Sequence, residues 1–235
     1  MSRNQHDEVL ILWDVDKTLV NLGGFSRSLY QSAFLSVTGK PLEHLAPMAG
    51  QTERAIATET FELHGIRASD ELFHRFCTAL AKAAQDMKNR IHEIGKALPG
   101  AHEAIASFEK KRAVQSLVTG NIQPVAKNKL EAFGLADRLD FEIGGYGDYS
   151  KDRPDLVRFA CERASTKHGV EFSGKRTFVI GDTPHDIKSA HDAGAHAIGV
   201  ATGNSSTQDL ENAGADLVLT SLTGIDALHN MIQEQ

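Results

Sequence analysis

Two carboxylates, two positions apart, follow the first apolar run of the chain. The run occupies residues 9–13, and Asp14 and Asp16 come directly after it. A short apolar run of this kind is typical of a strand that is buried on both faces of a parallel sheet. Carboxylates at the end of such a strand are costly to bury unless a cation or hydrogen-bond donors neutralise them. A divalent metal would meet that need, whereas an Asp-rich turn would explain the same residues without any chemistry.

Two more apolar runs end in polar groups and lead into predicted helices. Residues 114–118 precede Thr119, Gly120 and Asn121, and residues 177–180 precede the segment G-D-T-P-H-D, which contains Asp182 and Asp186. Because the carboxyl ends of parallel strands lie at one edge of a sheet, we expect these groups to converge on one crevice. The segment Y-S-K-D-R-P, just before another predicted helix, adds cationic side chains.

The hydrophobic pattern divides the chain into a helical block and an alternating part. Apolar residues recur at helical spacing over residues 25–37, 53–63 and 70–91. From residue 101 onward, helices alternate with apolar strands at residues 113–118, 141–143, 177–181, 195–200 and 216–219. Such alternation predicts an α/β fold with a doubly wound parallel sheet, into which the helical block is inserted after the first strand.

Taken in chain order, these motifs resemble those of the haloacid dehalogenase superfamily, and most of all its phosphoglycolate-phosphatase-like hydrolases. The family has D-x-D-x-T after a strand, then a strand ending in Thr or Ser, then a Lys at a helix start, then G-D-T-x-x-D. The resemblance implies a Rossmann-like catalytic core of residues 1–20 and 96–235 and an all-helical cap domain of residues 21–95. It also implies Mg²⁺-dependent hydrolysis of a small phosphate monoester through an aspartyl phosphate.

The resemblance assigns a role to each motif residue. Asp14 is the expected nucleophile, and Asp16 is the expected general acid and base. Thr119, Gly120 and Asn121 are expected to hold the phosphoryl oxygens. The expected metal ligands are Asp14, Asp16 (through its main-chain carbonyl), Asp182 and Asp186, which together form an oxygen-rich site that suits Mg²⁺. Members that act as dehalogenases lack an acid at the position of Asp16, so its presence favours phosphate ester hydrolysis.

The cation of the third motif has two candidates. The family often has Lys-Pro at this point, whereas this chain reads S-K-D-R-P. Helix register counted back from residues 159–161 favours Lys151 as the catalytic cation. Arg153, which precedes Pro154, is the alternative and a candidate for binding the substrate. An Arg presents a planar fork of donors and is not equivalent to a Lys.

The segment of residues 47–54 resembles the loop by which the family's cap contacts the substrate. Gln51, Thr52 and Arg54 are the candidates for touching the leaving group, and Gln51 and Arg54 are our predicted substrate-binding residues. Thr52 also has the residue type and position of an N-cap for the helix that follows.

Composition and charge limit the kinds of binding partner and the cellular compartment that we expect for this protein. The chain has 235 residues and a formal net charge of −6, which argues against a nucleic-acid-binding protein. The polar start M-S-R-N-Q-H-D-E-V does not resemble a signal peptide, and no run approaches the roughly 20 apolar residues of a membrane helix. Its two cysteines fit a reducing compartment. We therefore expect a cytoplasmic monomer or homodimer that binds a small phosphorylated metabolite and no membrane.

Two other functions share these motifs. A phosphomutase of the β-phosphoglucomutase type has all four, and differs in how its cap binds a sugar and excludes water. A non-catalytic sensor of phosphorylated metabolites would keep the fold, but is expected to have lost Asp14, Asp16 or Asp182, all of which are present.

Overall fold

The computed structural model describes residues 8–111 and 113–233. The strands are β1 Leu10–Trp13, β2 Val20–Leu22, β3 Gly95–Ala97, β4 Val114–Thr119, β5 Gly145–Tyr146, β6 Thr177–Gly181, β7 His196–Val200 and β8 Leu217–Leu219. The α-helices are α1 Phe25–Thr38, α2 Glu53–Leu63, α3 Asp70–Asp86, α4 Ile91–Ile94, α5 Ala101–Lys110, α6 Gln123–Ala132, α7 Arg153–His168, α8 Pro184–Asp192, α9 Thr207–Asn212 and α10 Asp226–Gln233. Single turns of 3₁₀ helix occupy Lys88–Arg90, Gly174–Arg176 and Leu222–Gly224.

Six of the strands form one parallel sheet in the order β5-β4-β1-β6-β7-β8. After β1 the chain builds one side of the sheet with β4 and β5. It then returns to build the other side with β6, β7 and β8. The strand order therefore reverses on either side of β1, and open α/β sheets bind ligands outside the carboxyl ends of the strands at such a reversal. This sheet confirms the predicted fold class.

Both faces of the sheet are covered by helices, as the continuous apolar runs require. Ile11 and Trp13 pack in one apolar cluster with side chains of α5, α6 and α10. Leu10 and Leu12 point the opposite way, into a second cluster with α7, α8 and α9. Successive side chains of a strand point to opposite faces of the sheet. Because helices cover both faces, every residue of β1 is buried, and apolar residues do not alternate with polar ones along the strand.

The chain between β2 and β3 is helical and carries α1 to α4. β2 and β3 pair with each other in antiparallel fashion and form the two connections between this segment and the sheet. Its helices enclose an apolar cluster of their own, which also contains Ile122 and Val125 at the start of α6. The division into a core of residues 1–20 and 96–235 and a cap of residues 21–95 stays a prediction.

Two predicted elements differ from the structure. Residues 141–143 form no strand, because pairing with β4 begins only at Gly145, opposite Val118. The carbonyl of Phe141 instead accepts hydrogen bonds from the side chains of Gln123 and Tyr146. The helix expected over residues 70–91 ends at Asp86. The apolar spacing continues through the 3₁₀ turn that follows, so the sequence pattern does not show where the helix ends.

Among the described residues, no helix combines the length and the apolar character needed to cross a membrane.

The close approach of β5 to α7 predicts the effect of one substitution. A Cβ added at Gly145 would collide with the main chain of Leu156. We expect Gly145→Ala to lower the free energy of unfolding by about 1–3 kcal/mol, measured by urea denaturation, since the backbone cannot yield as a flexible side chain does. Gly23→Ala is the control, because its nearest neighbour would lie 3.9 Å away. An equal effect of the two substitutions would contradict this account.

Candidate active site

Three neighbouring strands bring the predicted motifs to one place. Trp13, the last residue of β1, pairs with Leu117 of β4 on one side and with Ile180 of β6 on the other. Asp14 is the next residue, and its N–H donates to the carbonyl of Ile180 at 2.9 Å. Thr119 is the last residue of β4 and Asp182 follows β6, so all three motifs reach one edge of the sheet, as expected from sequence.

Asp14, Asp182 and Asp186 form a buried acidic cluster. Their side chains are almost completely inaccessible to solvent, and each offers an oxygen within 4.8 Å of the others. One guanidinium lies among them. Nη2 of Arg153 donates to Oδ1 of Asp14 at 3.2 Å and to Oδ1 of Asp186. Among the described residues, Arg153 is thus the cation that contacts these buried carboxylates directly.

The electrostatics of the cluster reflect its burial and its charges. Burial, together with repulsion by Asp186, raises the pKa of Asp14 well above its usual range, and Arg153 only partly opposes this. Burial and Asp186 also raise the pKa of Asp182 to about 7. For Arg153, burial alone lowers the pKa, but the carboxylates of Asp186 and Asp14 outweigh it and raise the pKa overall. Oxygen donors with excess negative charge are a donor set that fits a hard divalent cation.

Asp186 is fixed by the start of α8. Its Oδ2 accepts hydrogen bonds from the N–H of Thr183 at 3.0 Å and from the hydroxyl of Thr183 at 2.6 Å. In return, the hydroxyl of Thr183 caps the helix by accepting from the N–H of Asp186. This capping box holds one carboxylate oxygen, and Arg153 holds the other. Asp186 is therefore placed to orient its neighbours.

The two cations of the third motif lie in different surroundings. α7 begins at Arg153, two residues later than the register argument for Lys151 assumes. Arg153 is buried beside Asp14, whereas Lys151 is exposed. What joins Lys151 to the rest of the site is its main-chain carbonyl, which accepts from the Thr52 hydroxyl at 3.2 Å. The structure brings Arg153, and not the preferred Lys151, into contact with the acidic cluster.

Asp16 is held apart from the acidic cluster by a fully buried lysine. Nζ of Lys129 donates to both carboxylate oxygens of Asp16, at 2.8 and 2.6 Å. The same nitrogen donates to Asn121 Oδ1 at 2.8 Å and to the Ser26 hydroxyl at 3.3 Å. Asn121 Nδ2 also donates to Asp16, at 2.7 Å. Three of the predicted ligands thus cluster through their carboxylates, whereas the carboxylate of Asp16 binds Lys129; its main-chain carbonyl stays a predicted ligand.

The phosphate-binding candidates lie between Asp16 and the helical segment. Thr119 is buried, and its hydroxyl accepts from Asn121 Nδ2 at 2.9 Å. A Cβ at Gly120 would collide with the carbonyl of Gln51, so glycine permits this close approach. The helical segment is also joined to the sheet by main-chain bonds, from Glu53 N–H to the Gly120 carbonyl and from Arg54 N–H to the Gly147 carbonyl, both 2.9 Å.

The two predicted substrate-binding residues of this loop, Gln51 and Arg54, have different positions. Gln51 lines the cavity above the acidic cluster. Arg54 does not, because its guanidinium is engaged elsewhere. It donates to Asp70 Oδ1 at 2.8 Å and to the Asp148 carbonyl, and it lies over the ring of Phe73. Thr52, as predicted, caps α2 by accepting from the N–H of Ala55.

A cavity of about 400 Å³ connects the acidic cluster to the helical segment. Glu53 is buried on its wall and accepts a hydrogen bond from the hydroxyl of Tyr30. Burial is the main reason why the pKa of Glu53 rises to about 7, although the Tyr30 bond and Lys129 favour the ionised form. In addition to the Asp side chains of the sheet end, a carboxyl group of the helical segment thus faces the cavity.

The sequence contained signals for Lys129 and Glu53 that the motif analysis missed. Lys129 stands three and four residues after Ala126 and Val125, so it lies on the buried face of α6. Glu53 stands three and four residues before Ile56 and Ala57 on the buried face of α2. A charged residue at the helical spacing of the apolar positions is a buried charge, and such a charge needs a partner.

Comparison with known proteins identifies the family. A family model described as haloacid dehalogenase-like hydrolase matches residues 11–200, which include every motif discussed above. The chain belongs to the haloacid dehalogenase-like hydrolase family. This confirms the resemblance drawn from the motifs and makes the protein a hydrolase of that family.

Relatives of this haloacid dehalogenase-like hydrolase include proteins named as phosphatases. "Probable phosphatase IndB" of Dickeya dadantii is 23% identical over 228 residues, which are 95% of each chain. A phosphoglycolate phosphatase of Vibrio cholerae is 24% identical over 54% of each chain. The β-phosphoglucomutase structure from Clostridium difficile superposes with a TM-score of 0.66 at 13% identity, over 97% of each chain, and shares the fold.

The raised pKa of Glu53 predicts a pH-dependent stability difference. The folded protein binds this proton more tightly than the unfolded chain, whose Glu has a pKa near 4.5. The free energy of unfolding therefore falls as the pH rises from 4.5 through 7. Glu53→Gln cannot ionise, so we expect its stability relative to wild type to rise by roughly 3 kcal/mol between pH 4 and pH 8.

Urea denaturation of both proteins in a chelating buffer measures this difference. Glu59→Gln, at an exposed position of the same helix, is the matched control and should give the same difference at both pH values. A Glu53→Gln effect that does not change with pH would show that the pKa of Glu53 is the same in the folded protein as in the unfolded chain.

Proposed function

We propose that this protein is a Mg²⁺-dependent phosphatase that hydrolyses a small phosphate monoester through a phosphorylated Asp14. The observation that carries the proposal is the buried cluster of Asp14, Asp182 and Asp186 with Arg153, set beside Thr119 at adjoining strand ends. The names of the phosphatase relatives support the same reaction class.

Mg²⁺ fits the residues that would hold it. Asp14, Asp182 and Asp186 offer the oxygen ligands, and Arg153 alone leaves their charge under-compensated. The resemblance to the family adds the main-chain carbonyl of Asp16. When bound there, Mg²⁺ would offset the charge of the carboxylates and of the phosphoryl oxygens.

In the first half-reaction, a carboxylate oxygen of Asp14 attacks phosphorus. A new P–O bond forms while the bond to the leaving-group oxygen breaks, and Asp16, which is protonated at the start of this step, gives that oxygen its proton. The Thr119 hydroxyl and the Gly120 N–H donate to the phosphoryl oxygens, and Arg153 neutralises charge beside Asp14. Lys129 and Asn121 hold the Asp16 carboxylate in one place while the leaving group departs.

In the second half-reaction, water attacks the phosphorus of the aspartyl phosphate. Asp16 accepts the proton of that water, and inorganic phosphate leaves as the Asp14 carboxylate is restored. The helical segment closes the cavity over this chemistry, which keeps other water away while Asp14 is being phosphorylated. A cavity of about 400 Å³ suits a small substrate.

The remaining expectations accompany the proposal. We expect a small phosphorylated metabolite as substrate, no nucleic-acid or membrane partner, a cytoplasmic location and a monomer or homodimer. The net charge of −6 supports the first two. A phosphomutase would share the acidic cluster, and a sensor would share the cavity, so both are distinguished by whether free phosphate is released.

The nucleophile and the metal are tested by one assay. We expect the wild type to release inorganic phosphate from para-nitrophenyl phosphate in the presence of Mg²⁺, and we expect this release to stop when EDTA is added. Asp14→Asn should reduce the rate by at least about 10³-fold, because an amide cannot form the acyl phosphate. Asp192→Asn, at an exposed position of α8, is the control. Turnover by Asp14→Asn near the wild-type rate, or undiminished turnover in EDTA, would overturn the mechanism.

The cation of the third motif is tested by a pair of variants. We expect Arg153→Gln to lower kcat/KM for phosphate release by about 10²- to 10³-fold, because it removes the charge beside Asp14. Lys151→Gln should change kcat/KM by less than about twofold, because that side chain is exposed. The opposite order would return the role to Lys151. Circular dichroism of both variants checks that they are folded.

A further inference from the structure

The cavity has two chemically different ends. The end at the sheet contains the acidic cluster, Arg153 and Thr119. The end under the helical segment is mostly apolar, and its walls are formed by Leu22, Leu29, Met48, Ile56, Leu80 and Val125. If the phosphoryl group lies at the sheet, as the proposed function requires, the apolar end receives the leaving group.

No lysine or arginine from the helical segment reaches this cavity. Among the described residues, its cationic lining side chains other than His185 are Arg153 and Lys17, and both belong to the sheet end. Lys17 donates to Asn204 at 2.7 Å and favours the ionised form of Asp182. Both cations are therefore set toward the phosphoryl group and the acidic cluster.

Lys129 does not fill the gap. Its side chain is completely buried, and its ammonium already donates to Asp16, Asn121 and Ser26. An ammonium has three protons to donate, so pairing with a leaving group would break one of these bonds. The helical segment also lines the cavity with the polar side chains of Asn21, Ser26, Tyr30 and Gln51, and among its described lining residues the ionisable acid is Glu53, an acceptor.

We propose that the substrate is a phosphate monoester whose leaving group is largely apolar and carries no negative charge, with any hydrogen-bond donor on it set against Glu53. An anionic leaving group would place a carboxylate among apolar walls and beside the carboxyl of Glu53, where the described residues of the helical segment offer no lysine or arginine to pair with it. Burying a charge without a partner is strongly unfavourable. Glu53 thus acts as a specificity-determining residue, and Tyr30 holds it in place.

The state of Glu53 agrees with this assignment. Tyr30 is its hydrogen-bonding partner among the described residues, and burial raises its pKa to about 7. A carboxylate that is poorly compensated gains more from a new donor or cation than one that is already paired. The inference separates this chain from a phosphoglycolate phosphatase, because the glycolate leaving group carries a carboxylate.

A set of matched esters tests the inference, which rests on the proposed phosphatase function. Benzyl phosphates with a methyl, an aminomethyl or a carboxylate group at position 4 differ mainly in the charge at the far end of the leaving group. Phosphoglycolate and para-nitrophenyl phosphate complete the set. We expect kcat/KM at pH 8 to be at least about 30-fold lower for the carboxylate ester than for the methyl ester, with phosphoglycolate equally poor.

Variants then test the role of Glu53. In Glu53→Gln, the ratio of kcat/KM for the aminomethyl ester to that for the carboxylate ester should fall by about tenfold or more, because the charge that separates them is gone. Each ratio is measured on one enzyme preparation, so it does not depend on the folded fraction. Glu59→Gln, exposed on the same helix, should keep the wild-type ratio.

The outcomes are distinguishable. Hydrolysis of the carboxylate ester or of phosphoglycolate within threefold of the methyl ester would overturn the inference and leave the phosphatase function standing. An unchanged ratio in Glu53→Gln would overturn the assignment to Glu53. A failure to release phosphate from any ester, para-nitrophenyl phosphate included, would instead overturn the proposed function.

Discussion

The burial of several carboxylates close together is the constraint on which the rest of the site depends. Asp14, Asp182 and Asp186 repel one another, and Arg153 compensates only part of their charge. Such an arrangement is costly for folding. It persists because each carboxylate is attached to an element that packing holds rigidly. β1 is buried on both faces, β6 pairs beside it, and the capping box at the start of α8 fixes Asp186. The packing of the large sheet offsets the unfavourable free energy of burying these carboxylates.

Much of this architecture could be predicted from the sequence, because the relevant signals are local. Runs of apolar residues that end abruptly in polar ones mark strand ends, and the parallel sheet brings those ends together. The third motif was harder. Whether Lys151 or Arg153 enters the crevice depends on where α7 begins. Periodicity along a helix does not fix its first residue, and a shift of two positions exchanges a buried cation for an exposed one. Here Asp152 is the N-cap and Pro154 the second helical residue, which places Arg153 at the start.

Lys129 and Glu53 illustrate a different limit. Each belongs to a helix whose apolar stripe would show it to be buried, yet neither lies in a recognised motif. Their partners are remote in sequence: Asp16 is 113 positions from Lys129, and Tyr30 is 23 positions from Glu53. Spacing within one helix reveals that a charge is buried, but only the tertiary structure reveals what compensates it. The family motifs supply the residues at the phosphoryl end of the cavity. Glu53 lines the cavity from the helical segment, and Lys129 holds the carboxylate of Asp16.

Two main-chain hydrogen bonds join the start of α2 to loops at the edge of the sheet. The N–H groups of Glu53 and Arg54 are bonded to the carbonyls of Gly120 and Gly147. Every amino acid except proline supplies the same N–H group, so substitutions at positions 53 and 54 would keep these two bonds. Residues that contact the substrate can therefore change during evolution while these two hydrogen bonds are kept. With its backbone attachment kept, such a fold can diversify in substrate preference through few substitutions.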